Sequence, residues 1–280
     1  MKIIENASDL AKVISDLRAE GKTIGFVPTM GALHDGHLSL VKRSKEENDY
    51  TVISIFVNPT QFNNADDLKK YPRTLDADCE LLTTIGGVDF VFAPDVETMY
   101  PSNYTYTPID LGVMDQVMEG KFRPGHFQGV VQVVKRLFDL VTPDNAYFGQ
   151  KDFQQVAVIR YMVKYYGLPL NIVSCPIIRS ENGLALSSRN ARLTEEQKEQ
   201  ALIISKTLYN MQTMVNSYSP AELMTWSTQQ INAGGLEVEY IEIVNPDTLE
   251  TLTDKWVPNS VCCVTAYCGD VRLIDNMVLN

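Results

Sequence analysis

Through its first two thirds the chain alternates short apolar, β-rich runs with helical patterns, and that alternation leaves few folds open. Strands are expected at Ile24–Pro28, Thr51–Val57, Val88–Ala93, Ala146–Phe148 and Leu170–Cys175. Helical patterns lie between them at Leu38–Glu47, Leu75–Ile85, Gly129–Val141 and Phe153–Tyr166. The third is the clearest, because Val130, Val131, Val133, Val134, Leu137, Phe138 and Val141 make one broad apolar stripe. Strands this continuously apolar fit a parallel sheet covered by helices on both faces. Ligands of such sheets bind beyond the carboxyl ends of the strands.

The pattern changes after about residue 180. Ser180-Glu181-Asn182-Gly183 is a turn signal, and Thr194-Glu195-Glu196-Gln197 reads as a capped helix start. A long helix to about Asn216, a second from Pro220 to about Ala233 and strands at Val238–Val244, Val261–Cys268 and Val271–Ile274 complete the chain. The expected division is a nucleotide- and substrate-binding domain over 1–180 and a smaller α+β domain over 181–280.

Charge and cysteine usage narrow the function. A net charge of −11 argues against nucleic-acid binding, which needs a basic footprint, but leaves room for a local cluster that binds a small anion. Five cysteines without a CxxC pair fit reduced thiols. The start carries no signal-peptide pattern and no apolar run is long enough to span a membrane. A cytoplasmic protein without a membrane partner is expected.

Five segments carry chemistry, and most follow a strand. Met30-Gly31-Ala32-Leu33-His34-Asp35-Gly36-His37 joins the first of these strands to a helix. Backbone N–H groups and the helix dipole favour an anion at such a junction, and two imidazoles add donors there. Gln61, after Asn58-Pro59, offers a neutral amide that can serve a carboxylate or a hydroxyl. Gly120-Lys121-Phe122-Arg123-Pro124-Gly125-His126-Phe127-Gln128-Gly129 reads as a basic, glycine-rich loop able to close over phosphates. Gly149-Gln150-Lys151-Asp152 leads from a strand into a helix carrying Gln155, with Lys151 a point charge for a phosphate oxygen. Leu186-Ser187-Ser188-Arg189 adds two hydroxyls and a guanidinium. Walker A, Gly-x-Gly-x-x-Gly and Gly-x-Ser-x-Gly patterns are missing, which removes the main support for kinase, dehydrogenase and serine-hydrolase readings.

Together with Tyr71-Pro72-Arg73 and Arg272-Leu273-Ile274-Asp275-Asn276, these segments resemble the pantoate–β-alanine ligase family of the HIGH-motif nucleotidyltransferase superfamily. The resemblance implies a Rossmann-like first domain, a smaller C-terminal lid domain and a homodimer. It implies ligation of (R)-pantoate to β-alanine through a pantoyl-adenylate, with ATP as co-substrate, Mg²⁺, and release of AMP and pyrophosphate. Carried over by position, Met30, His34, His37, Gly149, Lys151, Asp152, Ile178, Leu186, Ser187, Ser188 and Arg189 would contact ATP. Gln61 and Gln155 would hold pantoate, with Gln61 also bordering the β-alanine site. His34, His37, Lys151 and Arg189 would carry the catalysis by stabilising charge on the phosphoryl groups. Asp76 and Asp78 follow the Tyr-Pro-Arg segment, but protein ligands for Mg²⁺ are not fixed by sequence. A nucleotidyltransferase that adenylylates a phosphate acceptor is the alternative; the two glutamines speak against it, since such an acceptor calls for more cation. A third reading, a nucleotide-binding sensor, has no need of so many charge-stabilising groups.

Overall fold

The computed structural model describes residues 1–63 and 65–280. The chain divides into two compact units, Met1–Gly149 with Gln155–Cys175, and Gln150–Gln154 with Pro176–Asn280. Among the described residues no helix is long and apolar enough to cross a membrane.

The first unit is built on β1 (Lys2–Ile4), α1 (Ala7–Ala19), β2 (Ile24–Thr29), α2 (Asp35–Glu47), β3 (Tyr50–Ile55), α3 (Ala65–Lys70) and α4 (Leu75–Ile85). There follow β4 (Phe90–Phe92), α5 (Val96–Met99), α6 (Met118–Phe122), α7 (His126–Val141), β5 (Asn145–Gly149), α8 (Phe153–Tyr166) and β6 (Asn171–Cys175). The six strands form a parallel sheet in the order β1-β4-β3-β2-β5-β6. Side chains on a strand alternate between faces, and the core follows that rule. Phe26 and Val52 join the cluster with Leu10, Ile14 and Leu17 of α1 and the valine stripe of α7. Val27 and Ile53 join Leu40 and Val41 of α2 and Leu82 of α4. Helices therefore cover both faces, as the apolar runs imply. The chain leaves β2 toward β3 on one side and reaches β5 on the other, so the switch point of the sheet lies between β2 and β5.

One contact seats α2 closely on the sheet. A Cβ on Gly25 would lie 2.1 Å from Ser44 Oγ and 2.5 Å from Asn48 Nδ2, so only glycine lets the helix approach. Asn48 Nδ2 donates to the Tyr147 hydroxyl at 2.7 Å, and that hydroxyl donates to Glu47 at 2.9 Å. These bonds tie the C-terminal end of α2 to β5, leaving its N-terminus at the carboxyl end of β2.

In the second unit α9 (Glu195–Met214) and α10 (Pro220–Ala233) pack on an antiparallel sheet of β7 (Glu237–Val244), β8 (Val261–Cys268) and β9 (Val271–Val278). Ile204, Leu208, Met211, Leu223, Ile231, Ile243 and Val264 share its core. Thr194 and Gln197 form the reciprocal cap of α9 that their spacing implies. The last strand runs four residues past the expected Ile274. Asp275 and Asn276 extend it as buried polar residues because their side chains find partners, described below.

Candidate active site

The loop after β2 is held from beneath by a carboxylate. Gly31 (φ 79°) and Ala32 (φ 51°) both adopt left-handed backbone. Asp78, on α4 and 3% exposed, accepts from Ala32 N at 3.0 Å through Oδ2 and from Leu33 N at 2.8 Å through Oδ1. The Thr74 hydroxyl donates to Oδ2 at 3.2 Å. A Cβ on Gly31 would come within 2.9 Å of that same oxygen. The sequence reading of free N–H groups facing an anion is thus corrected for residues 32 and 33: the protein's own carboxylate takes both.

The turn delivers two histidines in a fixed tautomer. His34 caps α2, its Nδ1 accepting from Gly36 N at 3.1 Å. His37 completes the reciprocal cap, its Nδ1 accepting from His34 N at 3.3 Å. A ring nitrogen that accepts carries no proton, so each neutral imidazole holds its hydrogen on Nε2. The ring centroids are 4.1 Å apart. Two Nε2–H donors thus sit at the positive end of a helix dipole, where negative charge is favoured.

Gln61 is fixed from several directions. Pro59–Gln61 form one 3-10 turn capped by Asn58, which is 1% exposed. Asn58 Oδ1 accepts from Thr60 N at 3.3 Å, Thr60 Oγ1 at 3.1 Å and the Tyr100 hydroxyl at 2.8 Å. Its Nδ2 donates to Gln61 Oε1 at 3.1 Å and to the Gly129 carbonyl at 3.2 Å. Gln61 Nε2 in turn donates to Met30 Sδ at 3.2 Å, bringing together two residues singled out in the sequence. The main chain is held as well: His126 Nδ1 donates to the Gln61 carbonyl at 2.8 Å. A Cβ on Gly129 would lie 2.4 Å from Thr60 O and 2.6 Å from Gln61 Cα, so α7 can sit against the turn only with glycine there.

This geometry revises the third sequence segment. Gly120 to Gly129 is the end of α6, a short turn and the start of α7 rather than an open loop. Arg123 pairs with Glu119 at 3.3 Å, Lys121 lies over the Phe122 ring, and His126 is buried against Gln61. Asn58, Asp78 and His126 are the supporting residues whose roles the sequence reading missed. Asn58 stood out only as a strand end, and Asp78 only as a carboxylate near Tyr71-Pro72-Arg73.

The remaining candidates fall elsewhere. Gly149 ends β5, and Gln155 lies half-buried in the first turn of α8. In the second unit Lys151 and Asp152 lie on the 3-10 turn Gln150–Asp152, and Ser188 and Arg189 begin another, Ser188–Arg192. Ser187 Oγ caps the latter by accepting from Arg189 N at 3.3 Å. Leu186 N donates to the Ile178 carbonyl at 3.0 Å, closing the segment that leads into it. Both turns pack against β9, so the unit gathers Lys151, Asp152, Ser188 and Arg189 around one strand.

Among the described residues no group of three or more His, Cys, Asp or Glu side chains could hold a metal ion. Of the two acidic candidates, Asp76 is exposed and Asp78 is engaged by backbone amides. Among the described residues the side chains do not fit a built Mg²⁺ site.

Comparison with known proteins places the chain in a family. Residues 2–278 match the family model described as pantoate-beta-alanine ligase. The pantothenate synthetase of Bacteroides fragilis is 54% identical over 284 residues, covering 99% of this chain and 98% of that protein. That of Phocaeicola vulgatus is 55% identical over 285 residues, covering 99% of each. The solved pantothenate synthetase from Thermus thermophilus has a TM-score of 0.93 and 41% identity, covering 100% of this chain and 99% of that one. The Francisella tularensis pantoate-beta-alanine ligase, solved with β-γ ATP and β-alanine, has a TM-score of 0.83 and 37% identity, covering 99% and 97%. The chain belongs to the pantoate–β-alanine ligase family.

Proposed function

We propose that this chain, an acid–amino acid ligase by its family, activates pantoate with ATP and passes the acyl group to β-alanine. The observation that carries this reading is Gln61, a neutral amide pinned beside Met30, at the base of the loop bearing His34 and His37. A neutral amide suits a carboxylate or hydroxyl substrate, whereas a phosphate acceptor calls for cations.

Pantoate's carboxylate is a poor acylating agent and first attacks the α-phosphorus of ATP, expelling pyrophosphate. Negative charge grows on the phosphoryl oxygens and the leaving group. The Nε2–H groups of His34 and His37, with Lys151 and Arg189, are assigned to that charge, and preorganised donors of this kind usually supply the largest catalytic term. With Nδ1 accepting from a backbone N–H, each histidine offers its Nε2–H as the hydrogen-bond donor toward that charge. In the second step the β-alanine amine attacks the acyl carbon and AMP departs.

Met30, Gly149, Asp152, Ile178, Leu186, Ser187 and Ser188 complete the proposed ATP contacts, and Gln155 joins Gln61 on pantoate. Mg²⁺ is proposed to arrive on the nucleotide's phosphates with water as its other ligands, since the side chains of the described residues form no site of their own. Residues 1–180 are proposed as the nucleotide- and pantoate-binding domain and 181–280 as its lid. A cytoplasmic homodimer completes the proposal; the five free thiols suit a reducing compartment.

Product analysis with pantoate, β-alanine and ATP tests the reading. Pantothenate with one AMP per product is the expected result. A stable adenylylated phosphate compound as the product overturns it in favour of nucleotidyl transfer.

A further inference from the structure

Arg272-Leu273-Ile274-Asp275-Asn276 stood out in the sequence, yet none of its residues enters the proposed chemistry. The motif lies on β9, where Asp275 and Asn276 are 5% and 2% exposed. Neighbouring residues on a strand point to opposite faces, so the two can hold different segments at once.

Asn276 holds the first. Its Nδ2 donates to the carbonyl of Gln150 at 2.8 Å and to that of Lys151 at 2.9 Å. Carbonyls only accept, which settles the orientation of the amide. Its Oδ1 is buried without a hydrogen-bond partner among the described residues. An unsatisfied acceptor destabilises the fold, so the side chain's contribution lies in its two donated bonds. They fix the 3-10 turn from which Lys151 extends.

Asp275 holds the second. Its oxygens receive Arg179 Nη1 at 2.6 Å and Nη2 at 2.9 Å, a two-pronged pair whose side chains are 12% and 4% exposed. Arg179 Nη1 also donates to the Gly183 carbonyl at 3.2 Å, and the Tyr209 ring lies 5.8 Å from the guanidinium carbon. Arg179 pairs across to Ala185, and the chain then runs directly into Leu186–Arg189. A bidentate arginine pair fixes orientation as well as distance.

We propose that Asp275 and Asn276 are positioning residues for nucleotide binding: from one strand they set Lys151 on one side and Leu186–Arg189 on the other. The assignment rests on the ATP role proposed for those residues. Neither Asp275 nor Asn276 touches ATP; they act through the backbone of the segments that do.

The test is ATP affinity, by titration calorimetry, of the full-length protein and its Asn276→Ala, Asn276→Ser, Lys151→Ala and Lys151→Ala/Asn276→Ala variants. Misplacing one phosphate-binding group is expected to weaken ATP binding by about tenfold in Asn276→Ala. Asn276→Ser, which keeps one donor, falls between it and the parent and serves where Asn276→Ala does not fold. Adding Asn276→Ala to Lys151→Ala is expected to weaken binding by much less than tenfold, because the affected group is already gone. The apparent KM for pantoate stays unchanged, which a general loss of structure does not allow. Unchanged ATP affinity in both Asn276 variants, or an equal loss with and without Lys151, overturns the proposal. The functional reading fails separately, if the unaltered protein binds ATP but makes no pantothenate.

Discussion

The His126 imidazole donates through Nδ1 to the Gln61 carbonyl at 2.8 Å, tying the first residue of α7 to a turn 65 positions earlier. Because the bond is to the main chain, it controls where the Gln61 side chain starts. His126→Asn places an amide N–H close to where Nδ1 stood, whereas His126→Leu offers none. The expected outcome is a rise of about tenfold in the KM for pantoate in His126→Leu, largely rescued in His126→Asn. Steady-state kinetics with varied pantoate decides it; equal behaviour of the two variants removes the hydrogen bond from the account.

Asp78 joins α4 to the loop ahead of the histidines, and both its oxygens are occupied by amide hydrogens. Asp78→Asn turns one acceptor into a donor facing an N–H, so the loop must shift. kcat is expected to fall by about 10²-fold, as for a small displacement of catalytic groups, with the Mg²⁺ concentration for half-maximal activity unchanged. Recovery of kcat at high Mg²⁺ would instead make Asp78 a metal ligand.

The reciprocal cap of α2 requires unprotonated Nδ1 atoms on His34 and His37. A proton on either Nδ1 sets donor against donor and opens the cap. The ring centroids are 4.1 Å apart, and with both Nδ1 atoms accepting, the ring hydrogen of each is expected on Nε2. Nitrogen-15 spectra of the rings at neutral pH should show hydrogen on Nε2; signals from the Nδ1–H tautomer would contradict the assignment.

Asp115 makes a separate prediction about stability. Burial pushes its carboxyl above the usual range, and its Oδ1 has no hydrogen-bond partner among the described residues. The raised value in the fold favours the protonated form, so the stabilising effect is complete below the unfolded-state pKa. It is lost as pH rises through the folded value. At neutral pH Asp115→Asn should raise the melting midpoint by about 2 °C, and the gain should shrink as the pH is lowered into the carboxylate range. A gain that persists there would mean that ionisation is not the cause.

Strong periodicity made much of the fold legible. α4, α8 and β8 coincide with the sequence expectation to the residue, and α10 begins at the expected Pro220. The apolar stripe of α7 was plain, but its start lies three residues earlier, where Gly125 and His126 had suggested a loop. β1 is too short to show alternation, and α1 went unread although Asn6 caps it and Leu10, Ile14 and Leu17 mark its buried face. Residue types around the loop after β2 showed that an anion was to be handled. What sequence does not encode locally is support from a distance: Asp78 reaches back 46 positions to Ala32, and Asn276 reaches 125 to Lys151. Those pairings exist only once the sheets are assembled.

ATP–pyrophosphate exchange with pantoate present and β-alanine absent tests the central claim most directly. Pantoate-dependent exchange is the predicted result, since adenylation must proceed and reverse before any amine arrives. Its absence, while pantothenate still forms once β-alanine is added, would contradict a freely reversible adenylation step.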